Sequence, residues 1–252
     1  LCAESFLFWN CGYSSVKADS SLSWAKVVSS VDFLKSCKKV LFVTTSSREP
    51  GNDEIPKTSQ LALKIASLAG KEKVSIIDVS KLKIYPCEGN VSSANGNSCG
   101  NKSARLSDSK KNPSGNHRCW TSIHNPDDEL WKISKELFSC DCIVFFGSVR
   151  WGQTNSLYQR LIERLTWLEN RHSCLGEENI LKNISAGIIL FGQNWRGAEV
   201  LETQKRVLDF FGFKVVNGIC WNWQFTMNEN DESKASYLAA AKEFKDFLKE
   251  HS

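Results

Sequence analysis

The chain predicts a doubly wound α/β fold: a five-stranded parallel sheet in the order 2-1-3-4-5, with helices on both faces. Three observations carry this. Five short apolar runs, Lys39–Thr45, Val74–Val79, Cys142–Ser148, Ile184–Gly192 and Lys214–Cys220, are each bounded by turn-forming residues. Continuous apolar runs of that length read as strands buried on both faces. Helical periodicity follows each run. The first strand–helix–strand unit also closes within about forty residues, the size of a parallel crossover.

Taken in order, residues 1–37 form an N-terminal extension. Within it Leu22, Val27, Val31 and Leu34 keep a weak helical spacing, with Ser21 as a cap. Residues 38–252 form one domain. Its first strand leads through a polar loop to a helix at Thr58–Ala69, whose Leu61, Ala62, Ile65 and Ala66 share a face and which Gly70 stops. The second strand ends near Asp78. Residues 85–126 then break the rhythm, with Asn, Ser and Gly in quantity, cysteines at Cys87, Cys99 and Cys119, and histidines at His117 and His124. So long a loop is functional or disordered; a mobile insertion is expected, centred on 90–116. Asn125 and Pro126 suit a helix start, with Asp127 and Asp128 complementing its dipole and Leu130, Ile133 and Leu137 facing the core. After the central strand, a helix at Asn155–Leu168 presents Leu157, Leu161, Ile162, Leu165 and Leu168. Helices at Gly197–Phe211 and about 232–251 complete the pattern, the last with Tyr237, Ala241, Phe244 and Leu248 on one stripe.

Composition bounds the function. Hydrophobic residues at 41% and charged residues at 24% are ordinary for a globular chain. The net charge of +4 is mild and no Lys/Arg run forms a basic patch, so nucleic acid is not an expected partner, and the nine tryptophans are read as core fillers. No uninterrupted apolar span is long enough to cross a bilayer. The sequence begins at Leu1 and its only methionine is Met227, so a missing or processed N-terminus is expected. The ten cysteines form no short-spaced framework, which favours a reducing, cytoplasmic setting.

In a 2-1-3-4-5 sheet the loops after strands one, three and four converge at the carboxyl edge, where such folds hold ligands. The first loop carries Thr45, Ser46, Ser47 and Arg48 and runs to Lys57-Thr58-Ser59. Hydroxyls and free amides at a helix start suit a phosphate, although Thr58 or Ser59 as a simple cap explains the same residues. There is neither a G-x-x-x-x-G-K-[ST] nor a G-x-G-x-x-G motif, which argues against a P-loop nucleotidase and a standard dinucleotide fold. The loop after strand three, Gly147-Ser-Val-Arg-Trp-Gly152-Gln-Thr-Asn155, offers backbone amides and a planar indole, features that suit a planar heteroaromatic ligand. The loop after strand four, Phe191-Gly-Gln-Asn-Trp-Arg-Gly197, repeats that composition. Asp127–Asp128, Glu177–Glu178 and His172 are read as helix-start or surface charge rather than acid–base machinery.

From about Lys38 to Val216 the chain resembles the flavodoxin-like NAD(P)H-dependent FMN reductase and quinone reductase superfamily, including its iron–sulfur flavoprotein branch. The carriers are the hydroxyl-rich first loop with its Thr58-Ser59 helix start, Ile84-Tyr-Pro-Cys87, Asp127-Asp128, and above all Phe146-Gly-Ser-Val-Arg-Trp-Gly152 followed by the helix at Leu157–Arg164. Val149 stands where the family has proline, and Arg150 is bulkier and charged. The resemblance implies FMN as cofactor and NAD(P)H as electron donor. Ser46, Ser47, Arg48, Thr58 and Ser59 would hold the phosphate; Ser148, Val149, Arg150, Trp151 and Gly152 would line the ring, with Gln193, Asn194, Trp195 and Gly197 at its other edge. No catalytic side chain is required, because the chemistry belongs to the flavin. Relatives carry Pro-Cys-x-x-Cys where this chain has Cys87 and then Asn90. A cluster or zinc site from Cys87, Cys99 and Cys119 with His117 or His124 is one reading of that segment; unligated thiols are the other.

The function expected is an FMN-dependent oxidoreductase passing electrons from NAD(P)H to a small acceptor such as a quinone or flavin, as a homodimer or homotetramer. The rivals are an electron-carrying flavodoxin, disfavoured by the positive net charge, and a flavin-free interaction module on the same fold.

Overall fold

The computed structural model describes residues 20–47, 54–94, 96–192, 195–226 and 233–250. Six strands form one sheet: β1 (Val40–Thr44), β2 (Val74–Asp78), β3 (Cys142–Arg150), β4 (Gln153–Thr154), β5 (Ser185–Gly192) and β6 (Lys214–Gln224). Their order is β2-β1-β3-β5-β6, all parallel, with the two-residue β4 paired antiparallel to the end of β3. With β4 set aside, the five long strands run 2-1-3-4-5, as the sequence predicts. The central strand reads as expected: Cys142 to Gly147 are buried, since helices cover both faces.

The helices are α1 (Ser20–Ser36), α2 (Lys57–Ala69), α3 (Trp120–His124), α4 (Leu130–Leu137), α5 (Ser156–Ser173), α6 (Gly197–Phe210) and α7 (Lys234–Glu250). Two cores lie on opposite faces of the sheet. One joins α4, α5 and α6 to Ile143, Phe145, Ile188 and Leu190. The other joins α1, α2 and α7 to Phe42, Val144, Phe146, Ile189 and Trp221. Residues 20–36 of the N-terminal extension are therefore a sheet-covering helix, with Val27, Val31 and Leu34 buried in this second core. Ser30 ties the helix to β6, donating to the Gly218 carbonyl at 2.8 Å and accepting from the Trp221 indole at 2.9 Å.

Several element boundaries differ from the sequence expectation, each for a physical reason. β6 runs four residues past Cys220, to Gln224, because Trp221 and Trp223 bury against α1 and α7. Within the strand, Asn217 and Gly218 fall in a bulge: Ala186 pairs with Val215 and Ile188 with Cys220. Gly187 faces that bulge, and a side chain there would begin 2.4 Å from the Ile219 carbonyl oxygen. Helix α4 starts at Leu130 rather than beside Asn125, because Asn125 closes a turn onto Thr121 and Asp128 turns inward.

That inward turn anchors the segment 85–126. Asp128 and Arg164 form an ion pair with both side chains fully buried, 2.7 Å and 2.9 Å apart at the two carboxylate oxygens. Arg164 also donates to the Tyr85 carbonyl at 2.7 Å and to Ser122 at 3.0 Å. Ser122 donates to Asp128, and His117, itself buried, holds Ser122 at 3.0 Å with one ring nitrogen and Ser134 at 2.6 Å with the other. Glu177, read from sequence as solvated, bridges Arg118 and Arg171. No helix among the described residues is long and apolar enough to cross a membrane.

Candidate functional site

The carboxyl ends of β1 and β3 are fastened together by one buried side chain. Asn155 sits just before α5, and in place of capping that helix its amide reaches back across the sheet. Its nitrogen donates to the Thr45 carbonyl, and its oxygen accepts from the Ser148 amide at 3.0 Å and the Thr45 hydroxyl at 3.2 Å. The Thr45 amide meanwhile donates to the Phe146 carbonyl at 2.9 Å. The loops after strands one and three thus share one hydrogen-bonded junction. Sequence reading took Asn155 only as a helix start, because a side chain bonding to residues 110 positions away leaves no local pattern.

Beyond that junction the chain departs from a simple loop. Arg150 pairs with Gln153 and Val149 with Thr154, so Trp151-Gly152 is the two-residue turn of a hairpin. Both turn residues have positive φ, 51° and 67°, as a type I′ turn requires. Glycine adopts this freely; a bulky L residue does so only under strain. The hairpin is pinned to α5 by Gln159, which donates to Thr154 at 2.6 Å. Its turn rests on the segment after β5, where a side chain on Gly152 would meet the Trp195 ring at 3.1 Å and Arg196 Cδ at 3.2 Å. Arg196 is likewise left-handed, at φ 60°.

Between the hairpin and the start of α2 lies a cavity of about 350 Å³, within the range of small-molecule and cofactor pockets. One side is the end of β3, Ser148, Val149 and Arg150. A second is the α2 start, Pro56, Lys57 and Thr58, with Ser46 from the first loop. Pro56, at the N-cap of α2, offers no side-chain cap, so among the described residues the first amides of the helix suit an anionic acceptor. The remaining wall is aromatic: Phe191 from β5, Phe225 after β6 and Tyr237 from α7, with Ala241 beside it. Phe225 lies 5.5 Å from the Phe191 ring and 6.0 Å from Tyr237, and Lys57 Nζ stands 5.1 Å above it. Lys57 also pairs with Glu54 at 3.2 Å.

Of the site residues expected from sequence, Ser46, Thr58, Ser148, Val149 and Arg150 come together on this cavity. Ser47, Ser59, Trp151, Gly152, Trp195 and Gly197 do not line it. Trp151 stands 93% exposed and Trp195 50% exposed on adjoining turns. Gly197 is a packing position, since a side chain there would meet Asn222 at 2.9 Å. Arg48, Gln193 and Asn194 lie outside the described residues. The aromatic wall was missed: Phe225 and Tyr237 belong to segments read as loop and as core-facing helix.

The cysteine segment does not assemble a metal group among the described residues. His117 spends both ring nitrogens on serines, His124 faces Glu88 at 3.0 Å, and Arg164 donates to Cys119 at 3.5 Å. Burial pushes the Cys99 thiol up to about 12, which disfavours the thiolate a metal needs.

No family model matches the chain, and no curated protein matches it in sequence. Solved structures do match in fold. RosB with the bound intermediate 8-demethyl-8-formylriboflavin-5'-phosphate aligns at a TM-score of 0.54 and 15% identity, covering 84% of this chain and 76% of that one. An azoreductase from Bacillus anthracis str. Sterne aligns at 0.48 and 14% identity, covering 85% and 98%. The apo form of an NADH:FMN oxidoreductase, EMOB, aligns at 0.42 and 12% identity, covering 84% and 88%. At these identities the likeness is one of fold. The chain has a flavodoxin-like fold.

Proposed function

We propose that the protein is an FMN-dependent oxidoreductase that uses NAD(P)H to reduce a small acceptor. One observation carries the reading: the cavity joins the start of α2, Lys57 and Thr58 with Ser46 beside them from the first loop, to the polar end of the central strand. That donor set fits FMN. Hydroxyls, a lysine and free amides at the positive end of a helix suit its phosphate. The backbone of Ser148–Arg150 supplies hydrogen bonds for a ring edge, and Phe191, Phe225 and Tyr237 exclude water from a planar group. Ser47, Arg48 and Ser59 are assigned to the phosphate end, and Trp151, Gly152, Gln193, Asn194, Trp195 and Gly197 to the ring end. When bound, FMN would accept a hydride from NAD(P)H and release electrons to the acceptor. The chain's own part is to fix the ring against the junction made by Asn155, keep its other face reachable, and tune it by hydrogen bonds. RosB, which shares the fold and was solved with a riboflavin-5'-phosphate intermediate bound, supports a flavin.

The test is to substitute within the proposed phosphate end. Thr58→Val removes a hydroxyl without changing shape, and FMN affinity is expected to fall about tenfold, read by quenching of flavin fluorescence. Unchanged affinity would place the phosphate elsewhere.

A further inference from the structure

Two exposed arginines stand on and beside the hairpin that borders the cavity. Arg150 lines the cavity at the end of β3, and Arg196 lies against the hairpin turn that follows it. Among the described residues neither has a carboxylate partner, a state they share with Arg105, Arg160 and Arg206, whereas Arg118, Arg164 and Arg171 are each paired with one. Lys57, the remaining cation on the cavity, pairs with Glu54 and is assigned above to the phosphate end. Beside the two arginines stand two exposed indoles, Trp151 and Trp195, and Arg196 lies 5.9 Å over the Trp195 ring.

Holding these groups carries a strain. Trp151 and Arg196 are the two non-glycine residues with positive φ among the described residues, and both are at this rim. Strained backbone of this kind persists where the surroundings force it, and it clusters at functional sites. The composition of the rim, two flat apolar surfaces and two uncompensated guanidinium groups, fits a ligand that is flat and negatively charged. Guanidinium recognises sulfonate or carboxylate with paired N–H donors and also stacks on aromatic rings.

We propose that Arg150 and Arg196, with Trp151 and Trp195, select a planar electron acceptor bearing a sulfonate or carboxylate. This rests on the flavin reading above and adds a substrate class to it. Neither arginine touches the reacting atoms; they position the acceptor through its anionic group.

Binding of anthraquinone-2-sulfonate and of uncharged 2-hydroxymethylanthraquinone to the FMN-loaded protein, followed by tryptophan fluorescence without any electron donor, tests this. The sulfonate is expected to bind about tenfold more tightly. In the Arg150→Gln/Arg196→Gln double variant that preference should shrink to within about twofold, the loss falling on the sulfonate. Raised salt should erode the preference in the native protein, since exposed charges are screened. Equal binding of the two probes, or a preference that survives the double substitution, overturns the proposal. It is overturned too if the quinones bind alike and only NADPH affinity drops in the variant, because the rim then serves the donor. Failure to load FMN at all is a separate readout, and it removes the flavin reading together with this one.

Discussion

Asn155 is the residue on which the site's shape depends. Its amide holds Thr45 and Ser148 at once, inside a buried junction. Asn155→Ala would leave buried groups without partners and is expected to cost about 2 kcal/mol of stability, measured by urea unfolding, with a parallel loss of FMN affinity. Trp151 is the opposite case. Its ring is solvent-exposed and its backbone is left-handed, so Trp151→Asn should stabilise the fold by roughly 1 kcal/mol while weakening acceptor binding. A destabilised Trp151→Asn would mean that the indole packs on something in solution.

His117 sets a pH dependence. Burial holds its imidazole neutral and lowers its pKa from 6.5 to about 4. The unfolded chain therefore takes up a proton at a higher pH than the folded one. Stability from this group is full above the unfolded value and is lost as pH falls from about 6.5 towards 4, by about 3 kcal/mol at the lower end. Asp128 acts in the same direction at lower pH. Burial alone would raise it, but the Arg164 guanidinium and the Ser122 hydroxyl hold its carboxyl below the usual carboxylate range. Unfolding measured at pH 7, 5.5 and 4 should show the loss, and His117→Gln should flatten it above pH 4.

At the scale of elements, the sheet was legible and the connections between distant segments were not. Strands β1, β3 and β5 are continuous apolar runs, and burial on both faces demands such runs, so they could be read within a residue or two. β6 was cut short at Cys220, since a polar Asn222 between two tryptophans does not look like a strand. Ser46, Thr58 and Ser148–Arg150 were legible because loops at the carboxyl edge must converge. Asn155, Phe225 and Tyr237 were not, because only tertiary packing brings them there. The segment 85–126 reads as unstructured from composition, yet its hold on the domain is the Arg164–Asp128 pair, which couples residues 36 positions apart. We place the mobility expected of 90–116 at its exposed turns, such as 107–110. Arg164→Ala would strand a buried carboxylate and should cost about 4 kcal/mol. It should also speed proteolysis throughout 85–126; an unchanged cleavage pattern would show that the pair is not the anchor. The same scale gives α1 its role: Leu34→Ala, in the second core, should cost about 3 kcal/mol.

At the scale of the molecule, two helical layers leave one edge of the sheet open, and every feature assigned to function lies on that edge. Ser46 follows β1, Ser148–Arg150 end β3, Gly192 ends β5 and Phe225 follows β6. Helix α1 covers β6 near Gly218, and α7 packs on Trp223 and Phe191, where Tyr237 and Ala241 reach the cavity. The direct measurement is titration of the intact protein with FMN, followed by anaerobic addition of NADPH and NADH, read by visible absorbance and flavin fluorescence. FMN bound one to one, quenched, and bleached by a pyridine nucleotide is the expected result. Bound flavin that neither nucleotide bleaches would reduce the protein to an electron carrier. FMN that stays free and fully fluorescent would contradict the assignment of this cavity altogether.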